Sequence, residues 1–144
     1  MMASPDGQRE RGSAAVEAVI GVPALLLVLA LLILGGRVAT AHQAVQSAAS
    51  GAARAASIAR TTSHARADAE TTARDTLSNQ GVECVTVGIS VDTSGFAAPI
   101  GTDADVSVTV SCSIKLGDLG IPGLHGLRTV TETMSSPLDV YRER

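Results

Sequence analysis

The sequence predicts an α+β protein that is anchored in a membrane. It would comprise a long N-terminal transmembrane helix, an amphipathic helical extension and a small antiparallel β-sheet. Three observations support this fold class. The run from Ala18 to Gly36 is uncharged and long enough to cross a bilayer as a helix. An alanine-rich segment with helical spacing follows it, and the later chain alternates Val or Ile with Ser or Thr, as strands do.

The length and composition limit what the chain can be. Its 144 residues leave room for one modest domain besides a membrane segment. Phe96 and Tyr141 are the only aromatic residues, so the large anchors of nucleic-acid stacking and of binding hot spots are missing. The 11 basic and 14 acidic residues are mixed along the chain. We therefore expect a core of small residues and no nucleic-acid partner.

The N-terminal region contains the predicted membrane segment. Residues 1–12 are polar and without periodicity, which predicts a leader peptide or a cytoplasmic tail. Residues 13–37 are predicted to be the transmembrane helix, with Pro23 inside it. Membrane helices tolerate a proline when neighbouring groups satisfy the carbonyl that it frees, so Pro23 is a candidate for helix packing. Two arginines precede the apolar run and only Arg37 closely follows it. This bias predicts a single-pass protein with a cytoplasmic N-terminus and an external C-terminal domain.

A cleaved signal peptide is the alternative to a retained span. Ala39-Thr40-Ala41 has the small-x-small form of a cleavage site, and cleavage there would leave His42 as the N-terminus. The apolar run is longer than the usual signal-peptide core, and Arg37 intervenes before the site. These two features favour the retained span.

The remainder of the chain is predicted to be a helix and then a sheet. Residues 38–81 form an amphipathic, alanine-rich helix in this prediction, with Gly81 as its stop signal. Residues 82–144 are predicted to be a small β-rich extracytoplasmic domain. Two clear alternating runs occupy 85–91 and 106–116, and a weaker one occupies 128–134.

Cys84 and Cys112 are the only cysteines and both fall in the part predicted to lie outside the cytoplasm, where a disulfide persists. Strict alternation puts Cys112 on the apolar face but Cys84 off it, and a strand that begins at Val85, or a bulge beside it, would remove this conflict. Two free buried thiols are the alternative. Neither cysteine has the spacing of a metal or redox motif.

The sequence contains no pattern that is typical of an enzyme. The three histidines are scattered, and no zinc-protease, nucleophile-elbow or phosphate-loop motif is present. We expect no catalytic residues, no metal site and no cofactor.

Glu17 occupies a costly position immediately before the uncharged run. Carboxylates at a membrane boundary are penalised unless they are paired, which favours a functional role. The alternative is an acid in the first helical turn that is stabilised by the helix dipole. The chemistry of the residue alone supports both interpretations equally.

The stretch from Gly12 through Ser13-Ala14-Ala15-Val16 to Glu17, followed by a hydrophobic helix, resembles the signal of type IV prepilins and pseudopilins. The fuller pattern "AAVEAVIGVPALLLVLALL" is similar to the TadE-like family of the tight adherence (Flp) pilus system. Ala18 stands where members of that family often carry an aromatic residue. The Ala-rich helix and the Val/Ser/Thr strands are similar to the family in composition.

The resemblance implies a non-enzymatic minor pilin or pseudopilin of a Tad-type pilus or secretion apparatus. It implies that a prepilin peptidase cuts between Gly12 and Ser13, and that Glu17 then pairs with the N-terminal amine of a neighbouring subunit and sets the assembly register. The implied partners are other pilin or pseudopilin subunits and the Tad membrane machinery, and the location is the cell membrane or an extracellular pilus. A secreted or membrane-tethered binding module without a pilus role is the alternative, and a membrane-bound enzyme is a distant third.

Overall fold

The computed structural model describes residues 7–119 and 125–141, and side chains within 15–117 and 125–141. It contains helix α1 (Gly7–Ile58), helix α2 (Thr62–Asn79) and strands β1 (Thr86–Asp92), β2 (Asp105–Lys115) and β3 (Leu127–Pro137). Short 3-10 turns at Ser94–Ala97 and Leu116–Leu119 follow the first two strands. The predicted fold class is therefore confirmed: a long apolar N-terminal helix precedes a three-stranded antiparallel sheet.

The chain divides between Arg37 and Val38 into two units. In the first unit the large aliphatic side chains from Val16 to Ile33 are all more than half exposed. Within the described residues, one helix is apolar and long enough to span a bilayer, and it is the part of α1 from Ala15 onward. Pro23 lies inside this helix without ending it. Because proline has no backbone N–H, the Val19 carbonyl lacks its usual hydrogen-bond donor in the helix.

The second unit has a core made largely of alanine. Among the residues of this unit whose side chains the structure describes, eleven of the nineteen buried apolar residues are alanines, and they come from α1, α2 and the turn between them. Alanine lets helices approach to the short end of the usual interaxial range, about 8 Å. Gly51 also lies where α1 passes close to α2, since a Cβ added at this position would be 3.5 Å from Cγ2 of Thr72 on α2.

The sheet supplies the larger core side chains. Its order is β1-β2-β3, and both strand pairs are antiparallel. Val106, Val108, Val110 and Cys112 on β2 are fully buried, and the residues between them face the other side. This alternation is the one that the sequence predicts, and it gives the sheet one buried face.

Two predicted helix bounds differ from the structure. The helix predicted over 13–37 is part of α1, which begins at Gly7 and continues to Ile58. The single helix expected over 38–81 is two helices, because α1 ends at Ile58 and α2 begins at Thr62. The Thr61 side chain caps α2 by accepting a hydrogen bond from the His64 amide at 3.2 Å. A threonine cap needs no glycine or proline, so the break leaves little signal in an alanine-rich sequence.

The predicted stop at Gly81 is confirmed. Helix α2 ends at Asn79, and Gly81 has a φ of +67°, in the left-handed region where a side chain would be strained. The Val82 amide donates back to the Leu77 carbonyl at 3.3 Å, which closes the helix end.

Candidate functional site

The first group of site residues predicted from the sequence lies along α1. Gly12, Ser13, Glu17 and Pro23 all belong to this helix, but the side chain of Ser13 falls outside the described part. Positions 13 and 17 are four residues apart and therefore on the same side of the helix. Glu17 is exposed, and no side chain that the structure describes pairs with it.

The surroundings of Glu17 explain why this carboxylate is unusual. It lies in the helical stretch that begins at Ala15 and is apolar enough to cross a membrane. No other acidic or basic residue follows it until Arg37. If lipid covers this stretch, the carboxylate lies at the edge of a low-dielectric layer, where a cationic partner would lower its free energy.

The second group is in the sheet unit. Cys84 and Cys112 form a disulfide with their Cα atoms 5.3 Å apart. Strict alternation would put Cys84 and Cys112 on opposite faces of the sheet, but the start of β1 departs from it. Thr86 pairs with Ser113, and the Val85 amide also donates a hydrogen bond to the Ser113 carbonyl at 2.7 Å. Two residues opposite one is the arrangement of a β-bulge, and it brings Cys84 to the face that carries Cys112.

The histidines do not form a metal site. His42 Nδ1 lies 3.3 Å from a carboxylate oxygen of Glu132, which links α1 to β3. His64 and His125 are exposed. Among the residues that the structure describes, no cluster of three His, Cys, Asp or Glu side chains could hold a metal ion.

The outer face of the sheet is a surface of hydroxyl groups that was not among the site residues predicted from the sequence. Two cross-strand pairs hold hydroxyls together, Thr109 with Thr133 at 2.8 Å and Ser113 with Thr129 at 2.9 Å. The signal was present in the alternation, because every second residue of β2 from 107 to 113 is Ser or Thr. The exposed face of β3 continues the same pattern.

The Asp92 carboxylate lies at the end of β1. The Asp92 carboxylate accepts a hydrogen bond from the Ser94 amide at 2.9 Å, and this bond, with a further one from the Ser94 side chain, lowers the pKa of Asp92. The arrangement is an Asx turn that begins the loop after β1. It is a structural feature of the loop.

A family model described as TadE-like protein matches residues 12–54. Over these residues the chain is similar to the TadE-like family. The matched residues contain Gly12, Ser13, Glu17 and Pro23, and they end within α1. The TadE-like match confirms the resemblance stated from the sequence and suggests a pilin-like protein associated with a Tad pilus.

Two other comparisons found no relatives: no curated protein and no solved structure matches the chain. Helix α1 is a candidate membrane anchor, consistent with a membrane-anchored pilus protein.

Proposed function

We propose that this protein is a non-enzymatic minor pilin or pseudopilin subunit of a Tad-type pilus or secretion apparatus, and that it assembles through its N-terminal helix. The observation that carries the proposal is Glu17: an exposed carboxylate at the start of an apolar helix, inside the TadE-like segment. A carboxylate there is costly alone and stabilising when a cation meets it.

The cation is supplied by peptidase processing. Cleavage between Gly12 and Ser13 creates an α-amine on Ser13, and Glu17 accepts a charge-assisted hydrogen bond from that amine on a neighbouring subunit. Since each Glu17 meets the amine of the next subunit, the pair sets the register between helices. The partners are other pilin or pseudopilin subunits, the Tad membrane machinery and a prepilin peptidase.

The two units of the chain have separate roles in this proposal. The helix before Arg37 anchors the protein in the cell membrane with its N-terminus in the cytoplasm. The unit from Val38 onward lies outside and presents the sheet, and the Cys84–Cys112 disulfide suits an oxidising compartment. The sheet is then the surface module of the subunit, in the membrane or in a pilus.

Substitution of Glu17 tests the register role. Glu17→Gln keeps the shape and removes the charge, so we expect normal membrane insertion but at least about tenfold less protein in the purified apparatus, because the amine loses its partner. Glu17→Asp is the matched control that keeps the charge, and it should restore part of the incorporation. Wild-type incorporation of Glu17→Gln would refute the role.

The mature N-terminus tests the processing step. Mass spectrometry of the purified protein should find Ser13 as the first residue. An N-terminus at His42 would indicate a cleaved signal peptide, and an intact Met1 or Met2 would indicate a simple membrane anchor. Either result would contradict the amine–carboxylate pair.

One observation favours the second candidate, a membrane-tethered binding module without a pilus role. The exposed hydroxyl face of β2 and β3 is a broad polar surface with ordered cross-strand pairs. In that case Glu17 has no partner in an assembly, and because α1 begins at Gly7, Glu17 lies beyond the first turn that the helix dipole stabilises. Glu17→Gln would then leave both the location and the abundance of the protein unchanged.

A further inference from the structure

The outward side of α1 in the second unit carries a strip of uncharged polar residues. Gln43, Gln46, Ser47 and Ser50 are all exposed and follow the spacing i, i+3, i+4, i+7, which places them on one side of the helix. We call these four residues the Gln/Ser strip. They line an open groove of about 520 Å³, whose walls are completed by Gln80 at the end of α2 and Met134 on β3.

The strip differs from the exposed side of the neighbouring helix. Helix α2 exposes five charged residues over a similar length: Arg66, Asp68, Glu70, Arg74 and Asp75. The Gln/Ser strip exposes none. Along α1 the titratable residues that flank the strip are His42, which contacts Glu132 at 3.3 Å, and Arg54, one turn beyond Ser50.

This difference bears on what covers each surface. Removing an amide or hydroxyl from water costs little when a partner restores its hydrogen bond, whereas removing a charge costs much more. The buried centres of protein interfaces are correspondingly depleted in charged residues. The charges of α2 suit a surface that stays in water, and the Gln/Ser strip suits one that a polar helix can cover.

The chemistry of the strip also indicates its partner. A glutamine amide both donates and accepts hydrogen bonds, and so does a serine hydroxyl, so the strip can satisfy an identical strip. Two identical charged strips would repel each other. Small serines also allow close approach of two helices, as in membrane-protein helix pairs.

We propose that the Gln/Ser strip is a docking surface for the same strip of α1 in a second copy of this chain. The proposal rests on the proposed pilin-like function, and it names the partner surface outside the apolar segment. The groove between Gln80 and Met134 receives the second helix, and the amides of Gln43 and Gln46 pair with those of the other copy.

Disulfide trapping tests the docking. Ser47→Cys is introduced into the full-length protein in its native membranes, and Ala67→Cys, on the exposed side of α2, is the matched control. After mild oxidation, we expect a covalent dimer of the chain for Ser47→Cys at a yield at least about fivefold above the control. Equal dimer yields for the two variants would overturn the proposal. So would a Ser47→Cys variant that forms a disulfide only with a different protein and none with a second copy of the chain.

A charge placed on the strip provides the second test. Gln46→Glu, which is nearly isosteric, is combined with Ser47→Cys and should lower the dimer yield about tenfold, since like charges would face each other. Far-UV circular dichroism and retention of the Cys84–Cys112 disulfide verify the fold of each variant. If the fold is intact and the dimer yield is unchanged, the Gln/Ser strip is not the surface through which the two copies contact each other.

The amount of protein in the apparatus is measured in the same samples. Incorporation without a Ser47→Cys dimer overturns the docking inference and leaves the pilin-like function standing. A dimer without incorporation overturns the pilus role and supports self-docking alone.

Discussion

Removal of the Cys84–Cys112 disulfide should cost the second unit much of its stability. The two cysteines are 28 residues apart. For a loop of this length the chain-entropy relation gives about 12 cal/mol/K, or about 3.6 kcal/mol at 25 °C. Domains of this size have stabilities of about 5–15 kcal/mol, and this core is mostly alanine. We therefore expect the midpoint of thermal unfolding to fall by about 15 °C or more.

If the disulfide stabilises the unit by closing the loop, reducing the disulfide and replacing both cysteines should lower the free energy of unfolding by the same amount. The full-length protein in detergent is unfolded with urea and followed by circular dichroism, with and without a reducing agent. The Cys84→Ala, Cys112→Ala double variant should match the reduced wild type to within about 1 kcal/mol, the difference being the cavity at the buried Cys112. Reducing agent should not affect the variant.

The result that would refute this reasoning is a small effect of reduction. A loss below about 1 kcal/mol in the reduced wild type would mean that packing and hydrogen bonds already restrict the region between the cysteines in the unfolded ensemble. A large loss in the variant with little loss on reduction would instead assign the effect to the cavity left at Cys112.

Three further predictions concern local features of the second unit. Thr61→Ala removes the N-cap of α2 and should destabilise the unit by about 1 kcal/mol in urea unfolding, while Thr61→Ser should not. Gly51→Ala should stabilise it by about 0.5–1 kcal/mol in the same assay, because the new methyl meets Thr72 at an ordinary 3.5 Å; a loss would mean that α1 and α2 pack more tightly there. Hydrogen bonds from Ser94 lower the pKa of Asp92 from its ordinary 3.8, so the carboxylate contributes stability above that value and loses it as pH falls through the lowered pKa. Asp92→Asn should therefore be slightly less stable than wild type at pH 7 and equal to it in strong acid, as measured by thermal unfolding, and a gap that persists in acid would contradict the charge-based account.

The helix break shows where an alanine-rich sequence conceals structure. Alanine has the highest helix propensity, so the segment 38–81 predicts one uninterrupted helix from local preference alone. The structure ends α1 at Ile58 and uses Thr61 to begin α2. Both helices can then pack their alanines into one core, which a single straight helix could not do. Burial of the alanines outweighs the local preference at the break.

The bulge at Val85 is a second such case. Alternation counted from Val87 places Cys84 on the outer face, away from Cys112. The extra residue opposite Ser113 returns Cys84 to the inner face, where the disulfide forms. A bulge depends on contacts between strands that are distant in sequence, so local periodicity does not reveal it.

The sequence by itself determined the fold class. A long uncharged run, the helical spacing of the alanine-rich segment and the two-residue alternation of the later chain predict an α+β protein with a candidate membrane helix, because these signals are local and periodic. The resemblance to the TadE-like family comes separately, from the pattern around Gly12, Glu17 and Pro23. Only the tertiary structure decided the break between α1 and α2, the β-bulge that allows the disulfide, and the groove beside the Gln/Ser strip. Each of these depends on packing between segments that lie far apart in the chain, where the gain from burial exceeds local preference.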